Sequence, residues 1–163
     1  AERADFHVIR SDLVRKELAG VVDQQPRPSR FGQGIYTQEW SERTYAECLR
    51  QSEELLFTGK RVLVDANFRD DASRQMFVDA AISRGVPSGL LVCQADPVIV
   101  RERLTKRRGD VSDADWSIYV KAAESWQEPM PRPQSDLKIV DTGGSAERAL
   151  SLAIDALRQW KLF

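Results

Sequence analysis

The sequence Arg61-Val62-Leu63-Val64-Asp65 is the strongest indication of the fold. It is a near-continuous apolar run that ends in a carboxylate, a pattern typical of a parallel strand that is buried on both faces. A long amphipathic pattern from Thr37 to Thr58 precedes it and predicts a helix, with Gly59 as its C-terminal stop. The chain around this strand therefore predicts an α/β sheet.

The alternation of strand and helix patterns extends in both directions from this strand. Upstream, residues 5–9 predict a strand and Ser11 opens a helical pattern, followed by a long loop at 20–34. Downstream, the predicted elements are a helix at 72–84, a strand at 89–93, a helix at 97–107, a helix from the Ser112-x-x-Asp115 capping box toward Trp126, a strand at 137–140 and a terminal helix capped by Ser145. Such alternation predicts a parallel sheet with helices on both faces.

Bulk composition excludes several classes of protein. The 163 residues suffice for one domain, and 42% hydrophobic with 30% charged residues is typical of a folded protein. A net charge of −1 argues against non-specific binding to nucleic acid. Without an apolar run of about 20 residues or a signal-peptide pattern, we expect a cytoplasmic protein with no membrane partner. Cys48 and Cys93 lack metal-site spacing and are expected to be buried thiols.

Polar residues follow the predicted strands at the ends where open α/β sheets bind ligands. Asp12 follows the first strand and Asp65 ends the second. We expect one carboxylate to act on an acceptor hydroxyl and the other to organise Mg²⁺. The alternative is that each aspartate only caps the next helix. For Asp141, in a glycine-rich turn, the alternative is likewise a structural role.

An arginine-rich segment precedes Gly109 and predicts a lid. Its cations are Arg101, Arg103, Lys106, Arg107 and Arg108. Arginine forks bind phosphate oxygens at two points, and such charge suits a segment that closes over a triphosphate. The alternative is a solvated helix end that complements the helix dipole.

Aromatic residues flank the predicted long loop. Tyr36 and Trp40 either border an acceptor pocket or pack as part of the core. His7 is the single histidine and lies inside a strand pattern, so we expect it to pack or to sit at an edge rather than to catalyse.

Four segments together resemble the AAA-type ATP-binding domains of the P-loop kinase superfamily. They are residues 7–18, residues 62–68, the arginine-rich stretch with 112–114, and residues 140–142. The resemblance is strongest to domains fused to aminoglycoside-phosphotransferase-like proteins, with polynucleotide kinases and zeta-toxin-like kinases as more distant relatives. It covers nearly the whole chain and implies one three-layer P-loop NTPase-like domain, with a helical lid at 97–128.

The resemblance also implies catalytic and metal-binding roles. Asp12 would be the acceptor-side carboxylate, and Arg107 and Arg108 would be the lid arginines. Asp65 would be the Walker-B-like carboxylate that binds Mg²⁺.

Further residues are assigned to substrate and nucleotide by the same resemblance. Arg10 would contact substrate or phosphate, and Asn67 stands where Asp-Ala-Thr-Phe versions of the motif have Thr. The remaining assignments are Tyr36 to the acceptor, and Arg103, Asp141 and Thr142 to the nucleotide.

One feature of such domains does not occur in this sequence. They open with a strand, a Gly-x-x-x-x-Gly-Lys-[Ser/Thr] loop and a helix, and the 163 residues contain no such loop. Because that loop binds the phosphates and Mg²⁺, these residues alone are expected to be inactive toward ATP. We expect the strand to be central, between 61–65 and 89–93, and to be present upstream in the natural protein or supplied by another chain.

The leading hypothesis is an ATP-dependent kinase. It would transfer the γ-phosphate to a hydroxyl of a small molecule or a nucleic-acid end, with Mg²⁺ bridging the phosphates. A second hypothesis is a degenerate nucleotide-binding or regulatory module of a fused or associated phosphotransferase-like protein. A third is ATP hydrolysis without an acceptor.

Overall fold

The computed structural model describes residues 4–20, 34–107, 115–130 and 136–163. The chain forms two compact units, one from Ala1–Arg69 and Leu104–Trp126, the other from Asp70–Arg103 and Gln127–Phe163. In chain order the described elements are β1 (Phe6–Arg10), α1 (Ser11–Leu18), a 3-10 turn (Gly34–Tyr36), α2 (Gln38–Phe57), β2 (Arg61–Asp65), α3 (Asp71–Ser83), β3 (Gly89–Gln94), α4 (Pro97–Lys106), α5 (Trp116–Glu124), β4 (Asp136–Asp141) and α6 (Ala146–Gln159). The predicted α/β class with parallel strands is confirmed. The single domain and the lid at 97–128 stay predictions.

The first unit contains a two-stranded parallel sheet of β1 and β2. Its register runs from Phe6 opposite Arg61 to Arg10 opposite Asp65. Ile9 of β1 and Val14 of α1 are buried, at 5% and 4% exposed. The central residues of β2 are half-buried, so the predicted burial on both faces is wrong for the described residues. Among the described residues β2 pairs only with β1, and the open strand edge leaves the β2 side chains on both faces partly accessible to solvent.

Helix α2 supports this sheet with a buried stripe. Thr37 caps its first turn, and Gly59 ends it with a φ of +73°, a conformation that glycine adopts without steric cost. The stripe consists of Thr44, Tyr45, Cys48 and Ser52. Cys48 is fully buried, which confirms the predicted buried thiol, and this burial raises the pKa of the thiol from its ordinary value of 9.0 to about 11.

The second unit contains a parallel pair of β3 and β4, in register from Gly89 opposite Asp136 to Gln94 opposite Asp141. Helix α6 packs on this pair, and Val140 and Ala156 are each 2% exposed. The Trp160 ring lies directly over Gly89, where a Cβ atom would collide with it. Cys93 is exposed, so its predicted burial is wrong; it lies near the carboxyl end of β3, where side chains emerge from the packed region.

Aspartate and serine caps set several helix starts. Asp70 caps α3 and Ser145 caps α6, the latter as predicted. Asp115 is itself the cap of α5, so the helix begins at Trp116 rather than at a box opened by Ser112. Hydrogen bonds from the Ile118 amide and the Ser117 hydroxyl lower the pKa of Asp115.

Some predictions fall where the structure makes no description. The interior of the predicted loop at 20–34 and the 112–114 segment lie outside the described residues. Among the helices that are described, none combines the length and apolarity needed to cross a membrane.

Candidate functional site

The carboxyl ends of β1 and β2 bring two predicted site residues together. Arg10 and Asp65 are the last residues of their strands and are opposite each other in the register. Arg10 Nε lies 3.4 Å from Asp65 Oδ2, with 37% and 58% of the two side chains exposed. An arginine and a carboxylate therefore share the end of this sheet, where ligands of α/β proteins bind.

Neither predicted carboxylate is the cap of the helix after it. Asp12 is half-buried in the first turn of α1, whose N-cap position is occupied by Arg10 without a side-chain hydrogen bond. Negative charge there interacts favourably with the helix dipole. Beyond Asp65 the cap is Asp70, whose Oδ1 accepts from the Ser73 amide at 2.8 Å. The capping alternative is therefore wrong for Asp65, which leaves its carboxylate at the strand end.

The segment after Asp65 is held by aromatic residues that sequence reasoning missed. Asn67 is exposed, and the next residue, Phe68, has a φ of +44°. The Phe68 amide donates to Tyr45 Oη at 3.1 Å, and the two rings stack with centroids 5.3 Å apart. Tyr45 was apparent in the sequence only as part of the apolar stripe of α2, because the contact spans 23 residues.

Tyr36 lies against a buried arginine. Arg15 Nη1 donates to the Ile35 carbonyl at 2.9 Å, and its guanidinium carbon lies 5.4 Å from the Tyr36 ring centroid. Arg15 is 7% exposed, so this contact anchors the 3-10 turn to α1. The role of Tyr36 toward an acceptor stays a prediction.

In the second unit, the residues predicted for the nucleotide lie around one turn. The amide and hydroxyl of Thr142 both donate to the Gln94 carbonyl, at 2.7 and 2.8 Å. Asp141 Oδ1 accepts from the Gly143 amide at 2.8 Å, which supports the structural alternative for this aspartate. Sequence reasoning missed Gln94, which only strand pairing places beside Thr142.

Arg103 reaches the same turn from α4. Its Nη2 lies 3.4 Å from the Gly143 carbonyl oxygen and 3.3 Å from that of Gly144. These distances exceed those of well-formed hydrogen bonds, so the contacts hold the guanidinium loosely. Arg107 is half-buried just after α4, and Arg108 lies outside the described residues.

The described residues contain no group of three or more His, Cys, Asp or Glu side chains placed to hold a metal ion. Mg²⁺ in phosphoryl-transfer sites is bound through one or two carboxylates, with phosphates and water completing the shell. Asp65 is an exposed strand-end carboxylate, so its chemistry fits such a partial shell.

Comparison with solved structures supports the fold. A crystal structure of a gluconokinase from Sinorhizobium meliloti 1021 is similar, with a TM-score of 0.59 and 16% identity, over 99% of this chain and 83% of that chain. At this identity the likeness shows the P-loop kinase fold alone.

Sequence comparisons identify the family. A search of the curated proteins returned no match. A model of the AAA domain family matches residues 1–125, which is more than half of the chain. The chain therefore belongs to the AAA domain family.

Proposed function

We propose that the protein acts as an ATP-dependent phosphotransferase that moves the γ-phosphate to a hydroxyl of a small molecule or a nucleic-acid end. The observation that carries the proposal is the β1–β2 register, which sets Arg10 beside Asp65 at the strand ends. Asp12 follows in the first turn of the helix that begins there. Two carboxylates and one guanidinium in this part of a P-loop kinase fold suit phosphoryl transfer.

The two carboxylates would divide the work. Asp65 would bind Mg²⁺, which when present neutralises charge on the phosphates. Asp12 would orient the acceptor hydroxyl and accept its proton. Arg10 would balance the negative charge at Asp65, and Asn67 and Tyr36 would contact the acceptor.

The nucleotide contacts are proposed from the resemblance to the family. Arg103, Asp141 and Thr142 would contact the nucleotide, and Arg107 and Arg108 would act as lid arginines. The loose contacts of Arg103 with two carbonyls support this assignment, because they leave the guanidinium able to turn toward phosphate oxygens.

The proposal requires a phosphate-binding loop from outside the 163 residues, since none of the Gly-x-x-x-x-Gly-Lys-[Ser/Thr] type occurs in them. We propose that this loop is supplied by residues other than these 163, either in the same protein or in another chain. The fine grouping, with zeta-toxin-like and polynucleotide kinases or with aminoglycoside-phosphotransferase-like fusions, is part of the same proposal.

A second candidate is a non-catalytic nucleotide-binding or regulatory module of a larger phosphotransferase-like protein. The two candidates differ in turnover: a module would bind a nucleotide without transferring phosphate.

The test begins with the intact mass and an N-terminal peptide map of the natural protein. ATP binding is then measured with and without Mg²⁺, and transfer from γ-labelled ATP is assayed on hydroxyl compounds and 5′-hydroxyl oligonucleotides. Gluconate belongs in the panel because the similar structure is that of a gluconokinase. Mg²⁺-dependent transfer supports the kinase, whereas binding without transfer to any acceptor supports the module.

The role of Asp12 is tested by Asp12→Asn. Transfer should be abolished while ATP affinity stays nearly unchanged, because the carboxylate acts on the acceptor side. Asp155→Asn is the control, since Asp155 is an exposed carboxylate of α6 in a 3.5 Å pair with Arg158. A comparable loss of ATP binding in Asp12→Asn would contradict the assigned role.

A further inference from the structure

The backbone after β2 adopts an unusual conformation. Phe68 has a φ of +44°, in the left-handed region that bulky non-glycine residues rarely occupy. Such conformations persist when the surrounding structure holds them, and they occur often at functional sites. This residue is three positions after Asp65, so its conformation determines how the chain leaves the strand end.

Tyr45 supplies the contacts that hold this conformation. Its hydroxyl oxygen accepts the Phe68 amide hydrogen at 3.1 Å. Its ring stacks on the Phe68 ring, with 5.3 Å between centroids and 19° between planes. Both the backbone and the side chain of Phe68 are therefore attached to a single tyrosine.

The part of helix α2 that carries Tyr45 is tightly packed. The residue is 7% exposed and lies on α2 next to Thr44 and near Cys48, both fully buried. The hydroxyl groups of Thr44 and Ser52 donate hydrogen bonds to backbone carbonyls one turn earlier in α2, at 2.6 and 2.7 Å. Because the stripe is packed and its hydroxyls are satisfied, Tyr45 has little freedom to move.

We propose that Tyr45 is a positioning residue for the phosphotransfer site, an inference that rests on the proposed function. The segment from Asp65 to Phe68 is held at both ends, by the β1–β2 ladder at Asp65 and by Tyr45 at Phe68. Asn67 lies between these two anchors. Tyr45 thereby determines where the Asn67 side chain and the Asp65 carboxylate are presented, without touching the substrate itself.

Tyr45→Phe tests the proposal because it removes the acceptor oxygen and keeps the ring. In the full chain, amide hydrogen exchange at residues 66–69 should accelerate about three- to tenfold, since one partly buried hydrogen bond is lost. The turnover rate should fall by a similar factor while the KM for ATP stays unchanged. Ser52→Ala is the matched control, because it deletes another buried hydroxyl of α2 that does not bond to the strand end.

Phe68→Gly provides a second variant. Glycine adopts a positive φ without penalty, so the segment needs less support from Tyr45. The effects of Tyr45→Phe on exchange and turnover should therefore be smaller in the Phe68→Gly background than in the parent chain.

Equal exchange in Tyr45→Phe and the parent, or faster exchange with unchanged turnover, would overturn the proposal. If the parent protein transfers no phosphate, the phosphotransferase proposal is wrong. The hydrogen-exchange comparison between Tyr45→Phe and the parent then tests by itself whether Tyr45 holds the segment.

Discussion

Arg10 and Asp65 end neighbouring parallel strands, and their charged groups lie 3.4 Å apart, from Nε to Oδ2. With 37% and 58% of the side chains exposed, solvent screens the attraction, and such pairs contribute at most about 1 kcal/mol. The pair is therefore weak enough to rearrange when a ligand binds. A cation at Asp65 would also meet the positive charge of Arg10, which opposes its binding.

Replacing Arg10 should strengthen divalent cation binding. In Arg10→Gln, we expect the Mn²⁺ or Mg²⁺ concentration for half-saturation to fall about two- to fivefold, because a competing positive charge is removed from Asp65. Electron paramagnetic resonance of Mn²⁺, titrated with ATP present, measures this directly. If Arg10 instead contacts the phosphates, ATP affinity will fall in the same variant.

Arg61→Gln is the matched control for that experiment. Arg61 pairs with Asp5 at 3.7 Å, at the opposite end of the same two strands. Its replacement removes the same charge but should leave cation binding unchanged. An equal effect of both variants would point to the net charge of the protein rather than to the Arg10–Asp65 pair.

Substitutions of Asp65 and Asp70 should have opposite effects: one should remove activity with little loss of stability, and the other should lower stability. Asp70→Ala removes the cap of α3 and should lower the free energy of unfolding by about 1 kcal/mol. Asp65→Ala removes only a solvent-screened ion pair and should lower the free energy of unfolding by less than Asp70→Ala does, at most about 1 kcal/mol, while Mg²⁺-dependent activity is lost. Urea denaturation and the transfer assay on both variants check the prediction, and the reverse order of stabilities would contradict it.

The two cysteines should differ in reactivity and in their effect on alkaline stability. Burial holds the pKa of Cys48 at about 11, whereas Cys93 is exposed, so an alkylating reagent at neutral pH should modify Cys93 first. Ionisation of Cys48 is easier in the unfolded chain, with its ordinary pKa of 9.0. Its contribution to stability is therefore complete below pH 9 and is lost as the pH rises toward 11.

Cys48→Ala serves as the comparison for this pH dependence. The variant should be less stable at neutral pH, because a fully buried side chain is shortened. Its stability should then fall less steeply than that of the parent between pH 9 and 11, which denaturation at several pH values measures. Parallel pH profiles for the two proteins would show that Cys48 does not titrate in this range.

Gly89→Ala should destabilise the second unit. A Cβ at this position would collide with the Trp160 ring, and overpacking of this kind costs about 1–3 kcal/mol. Adding Trp160→Leu should recover part of the loss, because the smaller side chain leaves room for the methyl group. Denaturation of the single and double variants measures the recovery, and strictly additive losses would argue against the contact.

Much of the fold was predictable because its determinants are local. The apolar run of β2, the cap at Ser145 and the stop at Gly59 predicted elements close to their observed bounds. Asp65 and Arg10 were recognisable as strand-end residues on the same grounds. Tyr45 and Gln94 were not recognisable, because their partners Phe68 and Thr142 are far away in sequence.

The alternation of strands and helices, the family and the identity of the strand-end carboxylates follow from local pattern and residue type, and they were therefore predictable from the amino-acid sequence. The pairing of Asp65 with Arg10 and the hold of Tyr45 on Phe68 became apparent only in the folded structure. Such relationships depend on strand register and on helix packing. Both arise from contacts between distant segments, which no local pattern encodes.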